Sequence, residues 1–152
     1  MRTVAQRDGQ RRVLLSTVSS DAHTWNLVFL RLLLEEMGHE VVSLGPCVPD
    51  RLLLDSVRRV RPDLLVISTV NGHGRIDGVR MIRRLRADPV ARHTPAVIGG
   101  KLGVAGEEEG TAAARALVEA GFDAVFTDTA DTALIGRILG ELPQRAPEGR
   151  AV

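Results

Sequence analysis

Short apolar runs alternate with amphipathic stretches along this chain. Runs that are apolar at consecutive positions and rich in β-branched residues predict strands buried on both faces. Such runs lie at residues 13–18, 40–44, 63–69, 96–98 and 124–126. Stretches whose apolar residues recur at helical spacing predict helices, and they lie at residues 27–37, 49–61, 79–85, 111–120 and 131–142. The chain is therefore expected to alternate strand and helix five times.

This alternation predicts a parallel sheet that is covered by helices on both faces. We expect a flavodoxin-like, doubly wound α/β fold with five parallel strands in the order 2-1-3-4-5 and right-handed crossovers. Such folds bind ligands at the carboxyl ends of the strands, near the switch point between strands one and three. The 152 residues fit one domain at 11–142. The polar ends at 1–10 and 143–152 are expected to be flexible tails.

Composition narrows the classes of function. The net charge of +1 offers no electrostatic basis for binding nucleic acid or a membrane surface. Cys47 is the single cysteine, which excludes an internal disulfide framework and a Cys-rich metal site. No apolar run approaches the roughly 20 residues of a transmembrane helix, and the polar, Arg-rich start does not resemble a signal peptide. A cytoplasmic protein is expected.

The segments after the strands separate the common uses of such a fold. A phosphoryl-accepting receiver domain needs an aspartate at the end of strand three, where this chain has Ser68-Thr69. A dinucleotide fold needs G-x-G-x-x-G after strand one, but residues 19–26 contain no glycine. Flavin binding would use flanking aromatic side chains, and Trp25 is the only one near this loop. None of these three functions is favoured.

The pair Asp21-x-His23 follows strand one. An imidazole can bind a metal through one nitrogen while a carboxylate holds its other N–H and sets the tautomer. One His with one Asp cannot complete a tetrahedral zinc site, whereas a metal already held by a macrocycle needs only an axial ligand. The pair therefore indicates a corrinoid or a haem. The small residues after strands three and four, including Gly99-Gly100 in the expected loop, would leave room for a side arm.

Residues 11–142 resemble the cobalamin-binding domain family, which is known by the motifs D-x-H-x-x-G, S-x-L and G-G. In this chain the first motif is Asp21-x-His23 with Asn26 in place of its glycine. The second motif is matched by Ser68-Thr69-Val70, and the third by Gly99-Gly100.

The resemblance implies that cobalamin binds base-off, with His23 as the lower axial ligand of cobalt and Asp21 as its hydrogen-bond partner. It places the nucleotide tail in a pocket beside Ser68 and the paired glycines, closed by the segment from Thr127. The residues so implied to contact the cofactor are Ser20, Asp21, Ala22, His23, Asn26, Ser68, Val70, Gly72, Gly99, Gly100 and Thr127.

Within the family, residues 68–77 (S-T-V-N-G-H-G-R-I-D) are similar to S-S-L-Y-G-Q-G-E-I-D of the small (sigma) subunit of glutamate (methylaspartate) mutase. That likeness implies an isomerase with two kinds of subunit. This chain would carry adenosylcobalamin and no catalytic residue, and a separate large barrel subunit would hold the substrate in a heteromer. Two alternatives stay open, which are a corrinoid carrier protein of a methyltransferase and a non-catalytic cobalamin-binding or sensory module.

Overall fold

A computed structural model of the chain describes residues 9–69, 74–100, 106–126 and 132–142. Within these ranges five strands alternate with five helices, as the hydrophobic pattern predicts. The strands are β1 (Arg12–Ser16), β2 (Glu40–Ser43), β3 (Leu64–Thr69), β4 (Ala96–Gly100) and β5 (Ala124–Phe126). The helices are α1 (Trp25–Glu36), α2 (Asp50–Val60), α3 (Gly74–Ala87), α4 (Gly106–Ala120) and α5 (Thr132–Glu141).

The five strands form one parallel sheet in the order β2-β1-β3-β4-β5, and the predicted fold class and strand order are confirmed. Two apolar clusters cover its faces. One packs α2, α3 and α4 on one face, with Leu14, Ile67 and Ile98 at its centre. The other packs α1 and α5 on the opposite face, with Leu15 and Val66 at its centre. Successive strand residues point to opposite faces, so each central strand serves both clusters.

The end of strand four differs from the expectation. Gly99 and Gly100 were expected in a loop, but they are the last two residues of β4. They pair with Ser68 and Thr69 of β3, and Gly99 also pairs with Phe126 of β5. The strand continues because the neighbouring strands extend far enough to supply partners for its backbone amides and carbonyls. The paired glycines therefore belong to the sheet itself.

Helix α1 presents an apolar face on each side. Leu27 and Leu34 are buried against the sheet. On the outward side Trp25 is 84% exposed. Three more exposed apolar residues continue this stripe at helical spacing, namely Val28, Phe29 and Leu32.

No helix in the part of the chain that the structure describes is long and apolar enough to cross a membrane.

Candidate functional site

His23, Asp21 and Thr69 form a chain of hydrogen bonds at the carboxyl edge of the sheet. Asp21 Oδ1 lies 2.8 Å from His23 Nδ1 and accepts the His23 backbone N–H at 2.9 Å. Its other oxygen, Oδ2, accepts the Thr69 hydroxyl at 2.8 Å. An ionised carboxylate only accepts hydrogen bonds, so the neutral ring carries its proton on Nδ1 and keeps the lone pair on Nε2. The sequence-based pairing of Asp21 with His23 is present in this geometry.

Burial differs sharply along this chain of three residues. Asp21 is 1% exposed and Thr69 is also buried, whereas the His23 side chain is 63% exposed. A buried carboxylate is stable only when hydrogen bonds replace its water. The arrangement therefore holds a charged, fixed group beneath an imidazole that a ligand can reach.

The loop that carries the pair is held by backbone contacts. The Asp21 N–H donates to the Val18 carbonyl at 3.1 Å, which closes a tight turn after β1. The Asp21 carbonyl accepts the Cys47 N–H at 2.7 Å, and the Thr17 hydroxyl donates to the Gly45 carbonyl at 3.1 Å. The connection between β2 and α2 thus supports the loop from one side.

Asp21 does not cap the helix that follows it. The N-cap of α1 is Thr24, whose side chain makes no capping hydrogen bond. Asn26, in place of the motif glycine, lies in the first turn of α1. Among the described residues, the non-glycine residues with positive φ are Cys47 and Arg61, so Asn26 needs no glycine-like backbone. The turn after His23 is therefore compatible with an asparagine at this position.

Thr69 was not identified as a site residue from the sequence. The motif match drew attention to its neighbour Ser68, but adjacent strand residues point to opposite faces. Ser68 lies level with Gly99 on the side of α1 and α5, and Thr69 reaches Asp21. The predicted strand order 2-1-3 could have identified Thr69, because it places the end of strand three beside the loop after strand one.

The paired glycines have two different packing roles. A Cβ on Gly99 would lie 2.7 Å from Cδ2 of Phe126, so the Phe126 ring fills the space that a side chain would take. Gly100 has a φ of +115°, and a Cβ there would lie 1.8 Å from the Thr69 carbonyl oxygen. Glycine is therefore required at 100 by backbone conformation and by the close approach of β3, whatever the site binds.

Of the remaining residues predicted to contact the cofactor, some lie on the loop around Asp21 and others lie outside the described residues. Ser20 and Ala22 are exposed on the loop around Asp21, and the Ser20 hydroxyl donates to Asp77 of α3. Val70, Gly72 and Thr127 lie outside the described residues, as do most of the two predicted tails. The assignment of individual residues to the cofactor stays a prediction.

Sequence comparison identifies the class of protein. The family model described as B12 binding domain matches residues 11–136, which is most of the chain. The protein belongs to the B12-binding domain family, and the resemblance inferred from the three motifs is confirmed.

Particular relatives narrow the comparison. The glutamate mutase sigma subunit of Halobacterium salinarum is 30% identical over 138 residues, covering 89% of this chain and 91% of that subunit. The glutamate mutase sigma subunit of Fusobacterium nucleatum is 25% identical over 117 residues, covering 77% of this chain and 85% of that subunit. The predicted similarity to the sigma subunit is confirmed.

A solved structure shares the fold. The crystal structure of a cobalamin-binding protein from Desulfitobacterium hafniense superposes with a TM-score of 0.67 at 26% identity. The match covers 86% of this chain and 59% of that one, so this chain spans about three fifths of the solved protein.

Proposed function

We propose that this chain is the cobalamin-carrying small subunit of an adenosylcobalamin-dependent carbon-skeleton mutase of the glutamate (methylaspartate) mutase type. The observation that carries the proposal is the hydrogen-bonded chain from Thr69 through Asp21 to the exposed ring of His23. These three hydrogen-bonded residues lie at the carboxyl edge of the sheet beside the β1–β3 switch point, where folds of this kind bind ligands.

The donor set fits the axial position of a corrinoid. With Nδ1 bound to Asp21, the Nε2 of His23 would replace the dimethylbenzimidazole below cobalt, giving base-off binding. The buried carboxylate fixes the ring tautomer and increases the electron density on Nε2, which strengthens a bond to a metal. Thr69 in turn orients the carboxylate. When bound, adenosylcobalamin supplies the radical that begins a carbon-skeleton rearrangement.

The sheet face under α1 and α5 offers a route for the displaced nucleotide tail. Ser68 and Gly99 lie side by side on this face, and the ring of Phe126 covers Gly99. A tail that passes Ser68 therefore either packs on the Phe126 ring or moves it. Phe126 is itself buried in the cluster under α1 and α5, so a tail on this face requires a change of its side-chain rotamer.

The outward face of α1 offers a docking surface for a protein partner. The stripe that begins at Trp25 and runs through Val28, Phe29 and Leu32 starts two residues after His23. A contiguous exposed apolar surface of this kind marks an interaction site on a soluble protein. The relatives are sigma subunits by name, and we propose a large catalytic mutase subunit as the partner that covers this region in a heteromer.

Cobalamin titration with and without His23 tests the proposal. The purified protein is titrated with cobalamin and reduced to Co(II), and electron paramagnetic resonance is recorded with and without ¹⁵N-labelled histidine. We expect nitrogen superhyperfine splitting that changes with the label in the wild type, and no splitting that depends on the label in His23→Ala. His93→Ala is the matched control, since His93 is an exposed histidine at the opposite edge of the sheet. Label-dependent splitting that survives in His23→Ala, or splitting in the wild type that does not respond to the label, refutes the ligand assignment.

A methyl-carrying corrinoid protein would use the same axial ligand. The names of the two relatives favour the mutase. Amino-acid rearrangement with adenosylcobalamin and a large subunit supports the mutase, whereas methyl transfer from methylcobalamin without radical chemistry would replace it with the carrier function.

A further inference from the structure

A second polar cluster lies beside the His23 loop, centred on Arg80 of α3. Its Nε donates to Asp50 Oδ2 at 2.8 Å, and its Nη1 donates to Asp77 Oδ1 at 2.8 Å. Its Nη2 donates to the Ser19 hydroxyl at 2.9 Å. One guanidinium thus joins the first residue of α2, the first turn of α3 and the loop after β1.

The adjacent serine is tied to the same cluster. The Ser20 hydroxyl donates to Asp77 Oδ2, on the carboxylate whose other oxygen accepts from Arg80. Ser19 and Ser20 therefore both depend on the Arg80–Asp77 pair, and Asp21 and His23 follow directly in the chain. The contacts through Val18 and Cys47 hold the other side of the same loop.

Electrostatics make this arrangement difficult to replace. Asp50 and Asp77 are both buried, and a buried carboxylate without a partner is strongly destabilising. The hydrogen bonds to Asp50, and then those to Asp77, raise the pKa of Arg80 well above its usual value. The guanidinium is thus charged at every working pH and remains between the two acids. Its planar fork of donors reaches three acceptors at once, which a lysine ammonium on a flexible stem does less well.

We propose that Arg80 is a positioning residue for the cobalt ligand. It holds Ser19 directly and Ser20 through Asp77, and thereby fixes the Asp21–His23 loop before the cofactor binds. For cobalt ligation the inference rests on the proposed function. For the order of the loop in the cofactor-free protein it stands independently.

Arg80→Met removes the charge and all of these donors while keeping the aliphatic stem. Arg58→Met is the matched control. Arg58 has the same 45% side-chain exposure as Arg80 and also bridges two carboxylates, Asp55 and the buried Asp88. Those two partners lie outside the loop of residues 17–24. Both variants lose an arginine from a buried carboxylate, so loss of stability in general affects both.

The first measurement is amide hydrogen exchange in the cofactor-free protein. The N–H groups of Asp21, His23 and Cys47 are hydrogen-bonded only while the loop holds this conformation. We expect Arg80→Met to speed their exchange about tenfold or more, since hydrogen bonds to charged groups are lost from the closed loop. In Arg58→Met these three amides should exchange as in the wild type. The ¹⁵N chemical shifts of the His23 ring are measured in the same samples. They should indicate a single Nδ1–H tautomer in the wild type and in Arg58→Met, and a mixture of tautomers in Arg80→Met.

The second measurement is the Co(II) spectrum with cobalamin bound. We expect Arg80→Met to lower the fraction of histidine-ligated cobalt at subsaturating cobalamin, and Arg80→Lys to recover part of it. Ser19→Ala leaves both carboxylates paired with Arg80, so it decides the question if Arg80→Met does not fold. It should speed exchange of the same three amides by a smaller factor.

Two results would overturn the inference. One is that the three loop amides exchange, and the His23 ring ¹⁵N shifts appear, as in the wild type in Arg80→Met. If Arg80→Met does not fold, the same result in Ser19→Ala overturns the inference. The other is an equal change in Arg58→Met. If the wild type binds no cobalamin, the proposed function fails, and the amide exchange still decides whether Arg80 orders the loop.

Discussion

The carboxylate of Asp21 is the group through which the protein controls His23, and Asp21→Asn isolates its charge. Asparagine has nearly the same shape. Its Oδ1 can accept the two His23 donors that Asp21 Oδ1 now holds at 2.8 and 2.9 Å. Its amide nitrogen would face the Thr69 hydroxyl, which can turn to accept. The loop geometry is therefore retained while the negative charge is lost.

The expected magnitude follows from the hydrogen bond to the ring. A hydrogen bond to a charged group contributes about 1.5–3 kcal/mol, and a neutral one about 0.5–1.5 kcal/mol. The difference is about 1–1.5 kcal/mol, which corresponds to an affinity about 5- to 13-fold weaker. This loss appears in cobalamin binding because a metal-bound imidazole polarises its N–H towards the carboxylate.

Cobalamin titration followed by visible absorbance measures the effect, with the Co(II) spectrum as a second readout. Asp63→Asn is the matched control, since Asp63 Oδ2 accepts the Arg12 backbone N–H at 2.8 Å at the opposite edge of the sheet. We expect Asp63→Asn to bind cobalamin as the wild type does. Unchanged affinity and splitting in Asp21→Asn, or equal weakening in Asp63→Asn, would show that the Asp21 charge does not support the ligand.

Three further predictions concern neighbouring features. Thr69→Val removes the hydroxyl that donates to Asp21 and should weaken cobalamin binding in the same titration by about 1 kcal/mol; wild-type affinity would remove Thr69 from the site. Gly100→Ala should cost roughly 1–3 kcal/mol from its positive φ alone, and a thermal midpoint within a degree of wild type would contradict this. Burial, and then the charge of Arg11, lower the pKa of His39 from its usual 6.5. The unfolded chain therefore binds more protons between pH 6.5 and the lowered pKa of folded His39, and the contribution of His39 to stability is lost as the pH falls from 6.5 through that lowered pKa. Urea unfolding from pH 7.5 to 5.5 should show this loss, and His39→Gln should show less of it.

The hydrophobic pattern was sufficient for the order of elements and the topology of the sheet. Consecutive apolar residues in short runs are read locally, and the right-handed crossover rule leaves few ways to arrange five strand–helix units. The exact ends of the elements depend on their tertiary partners. The strand at 96–98 was predicted, but not its last two residues, Gly99 and Gly100, because their pairing depends on how far β3 and β5 extend.

Helix α1 shows the same limit in another form. Helical spacing predicted one apolar face through Leu27 and Leu34, but it did not predict that the opposite side of the helix is apolar and exposed as well. Leu27 and Leu34 lie inward, whereas Trp25 and Phe29 lie outward. That orientation is set by how α1 packs on β1 and β2 in the folded sheet.

Asp21-x-His23 was the part of the site that sequence alone determined, because the contact spans two residues and depends on a local turn. The rest required the tertiary structure. The Thr69 hydroxyl comes from 48 residues away, and Arg80 reaches Ser19 across 61 residues. Such contacts exist only because parallel strands bring their carboxyl ends to one edge. The sequence could therefore supply the proposed ligand and its carboxylate, and the packing of the sheet and helices decided what holds them in place.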